Sequence, residues 1–169
     1  MSSRTLYVSV LGWSGTGKTT FIVKAIEECR RRGISAAAVK RARHEADVAP
    51  EGKDSTLYLE AGASSSLYVG DRSLVLFAPT PPVLDRAFYE RHFEDVDIVF
   101  LEGAEVEGSV RVVVAGAAAS PDELKRRPGE CDLLIAASPE LVGDGTETKV
   151  ISPNAVSEIL DFLEVHRGA

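Results

Sequence analysis

The sequence predicts an α/β domain with a mostly parallel sheet flanked by helices. Three observations carry that reading. Strand-like and helix-like segments alternate along the 169 residues. A glycine-rich stretch, GWSGTGKTT at 12–20, joins the first apolar run to the first helical pattern. ISAAAVK at 34–40 is apolar on both faces, as a central strand of a parallel sheet should be.

The elements follow in order. Residues 5–11 read as a strand. Residues 18–32 read as a helix, with Phe21, Ile22, Ala25, Ile26 and Cys29 on one face. Gly33 closes it as a C-cap, and Arg30, Arg31 and Arg32 form a solvated last turn. The strand at 34–40 comes next, then a polar stretch, then a short helix over 54–62. SSSLYVG and SLVLFAP, separated by Asp71 and Arg72, predict an antiparallel extension near residues 64–78. A helix over 82–93 follows a proline-rich entry. VDIVFLEG at 96–103, VRVVVAG at 110–116 and CDLLIAAS at 131–138 read as strands, and Ser152-Pro153 opens the last helix. The chain, 1–169, reads as a single domain, without internal repeats.

Composition narrows the function classes. A net charge of −7 argues against a nucleic-acid partner. No apolar stretch approaches the length of a membrane helix, and the N-terminus lacks the flanks of a signal peptide, so the expected location is the cytoplasm. Two unclustered cysteines, Cys29 and Cys131, suggest buried thiols in a reducing compartment.

Gly12, Gly17, Lys18 and Thr19 match G-x-x-x-x-G-K-[ST] in full. The glycines let backbone N–H groups of Gly12, Trp13, Ser14, Gly15, Thr16 and Gly17 turn toward phosphate oxygens. Lys18 can reach the β- and γ-phosphates, Thr19 can ligate Mg²⁺, and the helix opening through Thr20 adds its positive end. Strand, loop and helix together predict a P-loop NTPase fold and a nucleoside triphosphate ligand. No N-K-x-D guanine-reading stretch is present, and IAASPE at 135–140 lies where a base-contacting loop could fall. Trp13 either packs under the sheet's edge or meets a partner or ligand.

Ligands of an open parallel sheet bind at the carboxyl ends of its strands. The strand 96–101 ends at Glu102-Gly103, so Glu102 suits a catalytic role beside the metal, holding a metal-bound water or activating one. Asp97 begins that strand at its far end and is the weaker candidate. Lys40 ends the second strand, followed by Arg41, Arg43, His44 and Asp47. It either meets a phosphate or is a surface lysine. Asp54 either caps its helix or lines the site.

Taken in order, GWSGTGKTT, VKRARHEADVAPEGKDSTLYLEAGA at 39–63 and DIVFLEG at 97–103 resemble the molybdopterin-guanine dinucleotide biosynthesis adaptor family (MobB). The resemblance runs from about residue 5 to 163. It rests on Gly12 to Thr20, Lys40, Asp47, Gly52, Lys53, Asp54, Ser55, Glu102 and Gly103. It implies GTP and Mg²⁺ as ligands, slow GTP hydrolysis, an intertwined homodimer, and a partner of the molybdopterin guanylyltransferase type. Lys40 and Asp54 would then bound the γ-phosphate side. Two departures stand out. The family's K-H-x-H-H is Lys40-Arg41-Ala42-Arg43-His44 here, which favours an anion-binding loop over a metal-binding one. The family's E-G-F-K or E-G-Y-K is Glu102-Gly103-Ala104-Glu105.

Other classes remain open at this level. A small-molecule kinase using ATP could employ Arg41, Arg43, Arg126 and Arg127 as a lid. A metal-delivering GTPase would need more than the scattered His44, His92 and His166. An interaction module could bind nucleotide without turnover.

Overall fold

The computed structural model describes residues 5–42, 54–116, 131–137 and 148–167. The chain forms two compact units, one of residues 1–41 and 85–169, the other of residues 42–84.

The larger unit carries a six-stranded sheet. Its strands are β1 (Leu6–Leu11), β2 (Ala36–Lys40), β5 (Ile98–Glu102), β6 (Val110–Val114), β7 (Leu133–Ile135) and β8 (Lys149–Ile151). Every pairing is parallel, in the order β2-β5-β1-β6-β7-β8. Among the described residues, three helices belong to this unit: α1 (Lys18–Arg32), α3 (Arg86–His92) and α4 (Val156–Arg167).

Alternation along the strands builds two buried faces. Val8 and Val10 of β1, Ile98 and Phe100 of β5 and Val112 and Val114 of β6 point one way. There they meet Phe21, Ile22, Ala25 and Cys29 of α1 and Ile159, Leu160 and Leu163 of α4. Phe21 sits edge-on to Phe100, with ring centroids 6.2 Å apart. Tyr7 is buried on the opposite face, tilted against Tyr89 of α3. Cys29 is fully buried, which pushes its thiol up to about 11. Cys131 is only half-buried, short of the burial expected for both cysteines.

The sequence reading misplaces several boundaries. Strand β2 lies at the sheet edge rather than in its centre. Its run of Ala36, Ala37 and Ala38 looks apolar on both faces because alanine suits either environment. Helix α3 begins at Arg86, because Asp85 caps it by accepting from Phe88 N at 2.8 Å. Helix α4 begins at Val156, after a turn in which Ala155 N donates to Ser152 O. Strand β8 was not expected at all. Three residues are too few to display alternation.

The arginine-rich end of α1 is not simply solvated. Arg32 Nε donates to Glu28 at 2.8 Å, and its Nη atoms reach Asp161, Glu164 and Ser157 on α4. Gly33 adopts φ 73° and ends the helix as the sequence predicts. Nearby, Asp97 is a structural residue. It accepts from Ser35 N and Oγ, both at 2.8 Å, and pairs with Arg167. Those hydrogen bonds from Ser35, with Arg167 beside them, hold its carboxyl below the ordinary range.

The smaller unit contains α2 (Asp54–Glu60), β3 (Ser66–Val69) and β4 (Leu74–Phe77). Strands β3 and β4 pair antiparallel, as the sequence predicts, with Leu67 opposite Leu76 and Val69 opposite Leu74. Gly70 N donates to Ser73 O at 2.8 Å across the turn. Among the described residues, no helix is long and apolar enough to cross a membrane.

One titration tests the α1 cluster. Hydrogen bonds from Arg31 and then Arg32 lower the Glu28 carboxyl from 4.5 to about 2. A folded-state value below the unfolded one means the stabilisation is complete above about pH 4.5 and lost as pH falls toward 2. The urea midpoint is expected to fall through that window. Glu28→Gln should show a lower midpoint at neutral pH and a shallower acid limb; an unchanged acid limb would count against the cluster.

Candidate functional site

The carboxyl ends of β1, β5 and β2 lie side by side. Val10 of β1 and Lys40 of β2 are both register partners of Glu102. Whatever leaves these three strand ends is therefore gathered at one edge of the sheet.

From β1 the chain enters the loop at Gly12 with φ 151°. A Cβ there would lie 2.6 Å from Val114 O and 2.7 Å from Thr16 Oγ1, so only glycine fits. The loop then folds around the carbonyl of Trp13. That oxygen accepts from Thr16 Oγ1 at 3.0 Å and from Lys18 Nζ at 2.7 Å. Lys18 Nζ also donates to Gly12 O at 3.0 Å. The ammonium is thus pinned across the loop mouth by its own backbone. Ser14, Gly15 and Gly17 are exposed along the loop, and Thr19 and Thr20 are exposed on the first turn of α1.

The start of α1 suits an anion. Its N-cap is Gly17, which supplies no side-chain cap, and Phe21 N is the donor that reaches Gly17 O. No acidic side chain occupies the first turn. Amides and dipole at this end are left for an external negative group.

Strand β5 supplies the carboxylate. Thr19 Oγ1 donates to Glu102 Oε2 at 3.0 Å, and Lys40 Nζ lies 3.6 Å from Glu102 Oε1. Because the Thr19 hydroxyl spends its hydrogen on Glu102, its lone pairs remain for a cation. The donor set of hydroxyl and carboxylate is all oxygen, which suits Mg²⁺. Gly103 turns the chain away at φ 74°, with room for a Cβ only 3.2 Å from Arg41 O. Arg41 N donates to Glu102 O at 2.9 Å, tying the two strand ends together.

The structure therefore brings together Gly12, Trp13, Thr16, Lys18, Thr19, Lys40 and Glu102. Asp54 belongs to the 42–84 unit, where it opens α2 and complements that helix's dipole. Trp13 does not pack under the sheet; its residue is 59 % exposed. His92 and His166 each donate through Nδ1 to the carbonyl four residues earlier, on Phe88 and Phe162. Arg43, His44, Asp47, Gly52, Lys53, Arg126, Arg127 and residues 138–140 lie outside the described residues, as does the side chain of Ser55. Among the described residues, no three His, Cys, Asp or Glu side chains cluster as a metal site.

Sequence reasoning missed two contributors. The carbonyl of Val114 closes on Gly12, and a Cβ on Gly116 would lie 3.4 Å from Thr16. Both come from β6 and its exit. Their signal in the sequence is only a glycine after an apolar run, which has many other causes.

A sequence profile of the Molybdopterin guanine dinucleotide synthesis protein B family matches residues 7–137. The Molybdopterin-guanine dinucleotide biosynthesis adapter protein of Escherichia coli is 32 % identical, over 89 % of this chain and 87 % of that protein. Its namesake from Haemophilus influenzae is 28 % identical, over 97 % of this chain and 90 % of that one. The crystal structure of Bacillus subtilis MobB superposes with a TM-score of 0.73 at 25 % identity, covering 93 % of this chain and 97 % of that chain. The fold is that of a P-loop NTPase.

Close approach, rather than glycine content, fixes the loop. Gly12→Ala is expected to cost about 1–3 kcal/mol in urea unfolding. Gly15→Ala, whose Cβ would meet nothing within 4 Å, should cost less. Equal losses would show that the Val114 carbonyl is not the constraint.

Proposed function

The chain belongs to the Molybdopterin guanine dinucleotide synthesis protein B family, and on that premise we propose that it is a GTP-binding adaptor with weak GTPase activity. It assists the nucleotidyl transferase that joins GMP to molybdopterin, and it works in the cytoplasm. Residues 1–169 act as a single nucleotide-binding domain, with the 42–84 unit as an insertion in it. The observation that carries this reading is the Thr19–Glu102 contact beside an uncapped helix start, with Lys18 across the loop mouth.

Each residue then has a role. The loop amides from Gly12 to Thr20 hold phosphate oxygens. Lys18 places its ammonium on the β- and γ-phosphates. Thr19 ligates Mg²⁺ through its lone pairs. Glu102 keeps Thr19 oriented and holds a water on the metal side. Lys40 bounds the γ-phosphate side. Bound Mg²⁺ would neutralise charge on the phosphate oxygens. None of these groups is a strong base aimed at an attacking water, which accords with slow turnover.

The adaptor acts as a homodimer through the 42–84 unit. A lone two-stranded hairpin is marginal in water and leaves both its edges unpaired. Here Leu67, Tyr68, Val69, Leu74 and Leu76 are exposed, from both faces of the hairpin. Such a patch supports association.

Calorimetry with Mg²⁺ is expected to show GTP bound in preference to ATP. Lys18→Ala should weaken GTP at least about a hundredfold, the loss of a charge-assisted contact in a loop built around it. A preference for ATP would sink the guanine reading and point to a kinase. For the oligomer, Leu67→Lys with Leu76→Lys places like charges on one cross-strand pair. Sedimentation should then report a monomer that still binds GTP. A dimer that survives the change would move the interface elsewhere.

A further inference from the structure

The last side chains of β2 and β5 stand next to each other as register partners. Glu102 divides its two oxygens between different neighbours. Oε2 accepts from the Thr19 hydroxyl at 3.0 Å, and Oε1 faces the Lys40 ammonium at 3.6 Å. Those neighbours are tethered differently. Thr19 is fixed on the first turn of α1, whereas Lys40 ends a four-carbon stem and its side chain is 66 % exposed.

An ion pair this open adds little to folding stability. Its effect on the site is larger. Lys18 is held by the carbonyls of Gly12 and Trp13, directed at the loop and not at Glu102. Lys40 therefore supplies positive charge on the carboxylate that a cation would also use.

We infer that Lys40 is a tethered counter-ion that Glu102 exchanges with the terminal phosphate of a bound nucleotide, making Lys40 a residue that discriminates triphosphate from diphosphate. This rests on the nucleotide reading given above. The physical reason is charge balance. A divalent cation beside Thr19 and Glu102 would stand a few ångströms from the ammonium, and the repulsion at that range is substantial. Lys40 relieves it by swinging away, which its flexible stem permits. Leaving Glu102 is favourable only when another anion receives the ammonium. A terminal phosphate can do so; a diphosphate lacks that group. Metal alone therefore meets a carboxylate already neutralised, whereas metal and triphosphate bind cooperatively.

The test uses the full chain and three forms: wild type, Lys40→Met and Lys40→Arg. Free Mn²⁺ is titrated into each protein without nucleotide and followed by its paramagnetic resonance signal. Calorimetry with Mg²⁺ gives the ratio of GTP to GDP affinity. Lys40→Met is expected to bind Mn²⁺ alone on the order of tenfold more tightly, and to lose on the order of tenfold of its GTP-over-GDP preference. Lys40→Arg, which keeps the charge, should retain both wild-type values. Either quantity unchanged in Lys40→Met overturns the inference while leaving nucleotide binding intact. Wild-type protein that binds neither GTP nor GDP overturns the nucleotide reading and the inference with it.

Discussion

Every side chain of the candidate site in the larger unit reaches it because β5 pairs in parallel with β1 on one side and β2 on the other. Parallel pairing points all carboxyl ends the same way, and the register makes Glu102 the common partner of Val10 and Lys40. The phosphate loop then leaves β1 beside the carboxylate that ends β5, and Thr19, on the first turn of α1, donates to that carboxylate. A slip of one residue in β5 would turn Glu102 to the opposite face and bring Leu101 or Gly103 in its place. Ile98, Val99, Phe100 and Leu101 are all fully buried, so both faces of the strand are apolar, and its polar ends mark the register: Asp97 is tied to Ser35 and Glu102 to Thr19.

Opposite ends of the same strands are used differently. At the start of β5, Asp97 is tied to Ser35 and Arg167, and at the end of α1, Arg32 links Glu28 to Asp161 and Glu164. These contacts join helix ends and strand starts where no ligand is expected. Opposing charges there satisfy one another within the protein. At the carboxyl edge the first turn of α1 has neither a side-chain cap nor an acidic residue, and among the described residues Glu102 is paired with the exposed ammonium of Lys40. The contrast in charge pairing between the two ends is a physical basis for assigning scaffold and site.

The 42–84 unit obeys another rule. Its β3–β4 hairpin has exposed apolar side chains at successive positions, so neither face is a conventional solvent face. A two-layer domain would cover one of them. The hairpin instead presents Val69 and Leu74 opposite each other near its turn, both largely exposed. Such a surface is costly in water unless something covers it.

Local physics was legible in the sequence by itself. The G-x-x-x-x-G-K-T spacing between an apolar run and an amphipathic helix announced the loop, because backbone turn, lysine and helix start are all encoded within nine residues. The bounds of α1, its Gly33 cap and the antiparallel pair around Asp71-Arg72 were readable for the same reason: short-range periodicity and turn chemistry set them. The family resemblance was also carried by contiguous motifs. What only the tertiary structure decided depends on contacts between distant segments. Three alanines could not show that β2 is an edge strand, because alanine tolerates either setting. That Lys40 stands beside Glu102 depended on the register of two strands some sixty residues apart. That Gly12 needs to be glycine depended on the carbonyl of Val114 approaching from β6. Arg32 looked solvated until α4 brought Asp161 and Glu164 against it. Sequence pattern fixes which face a residue shows; the partner it meets there is set by how the sheet and helices close.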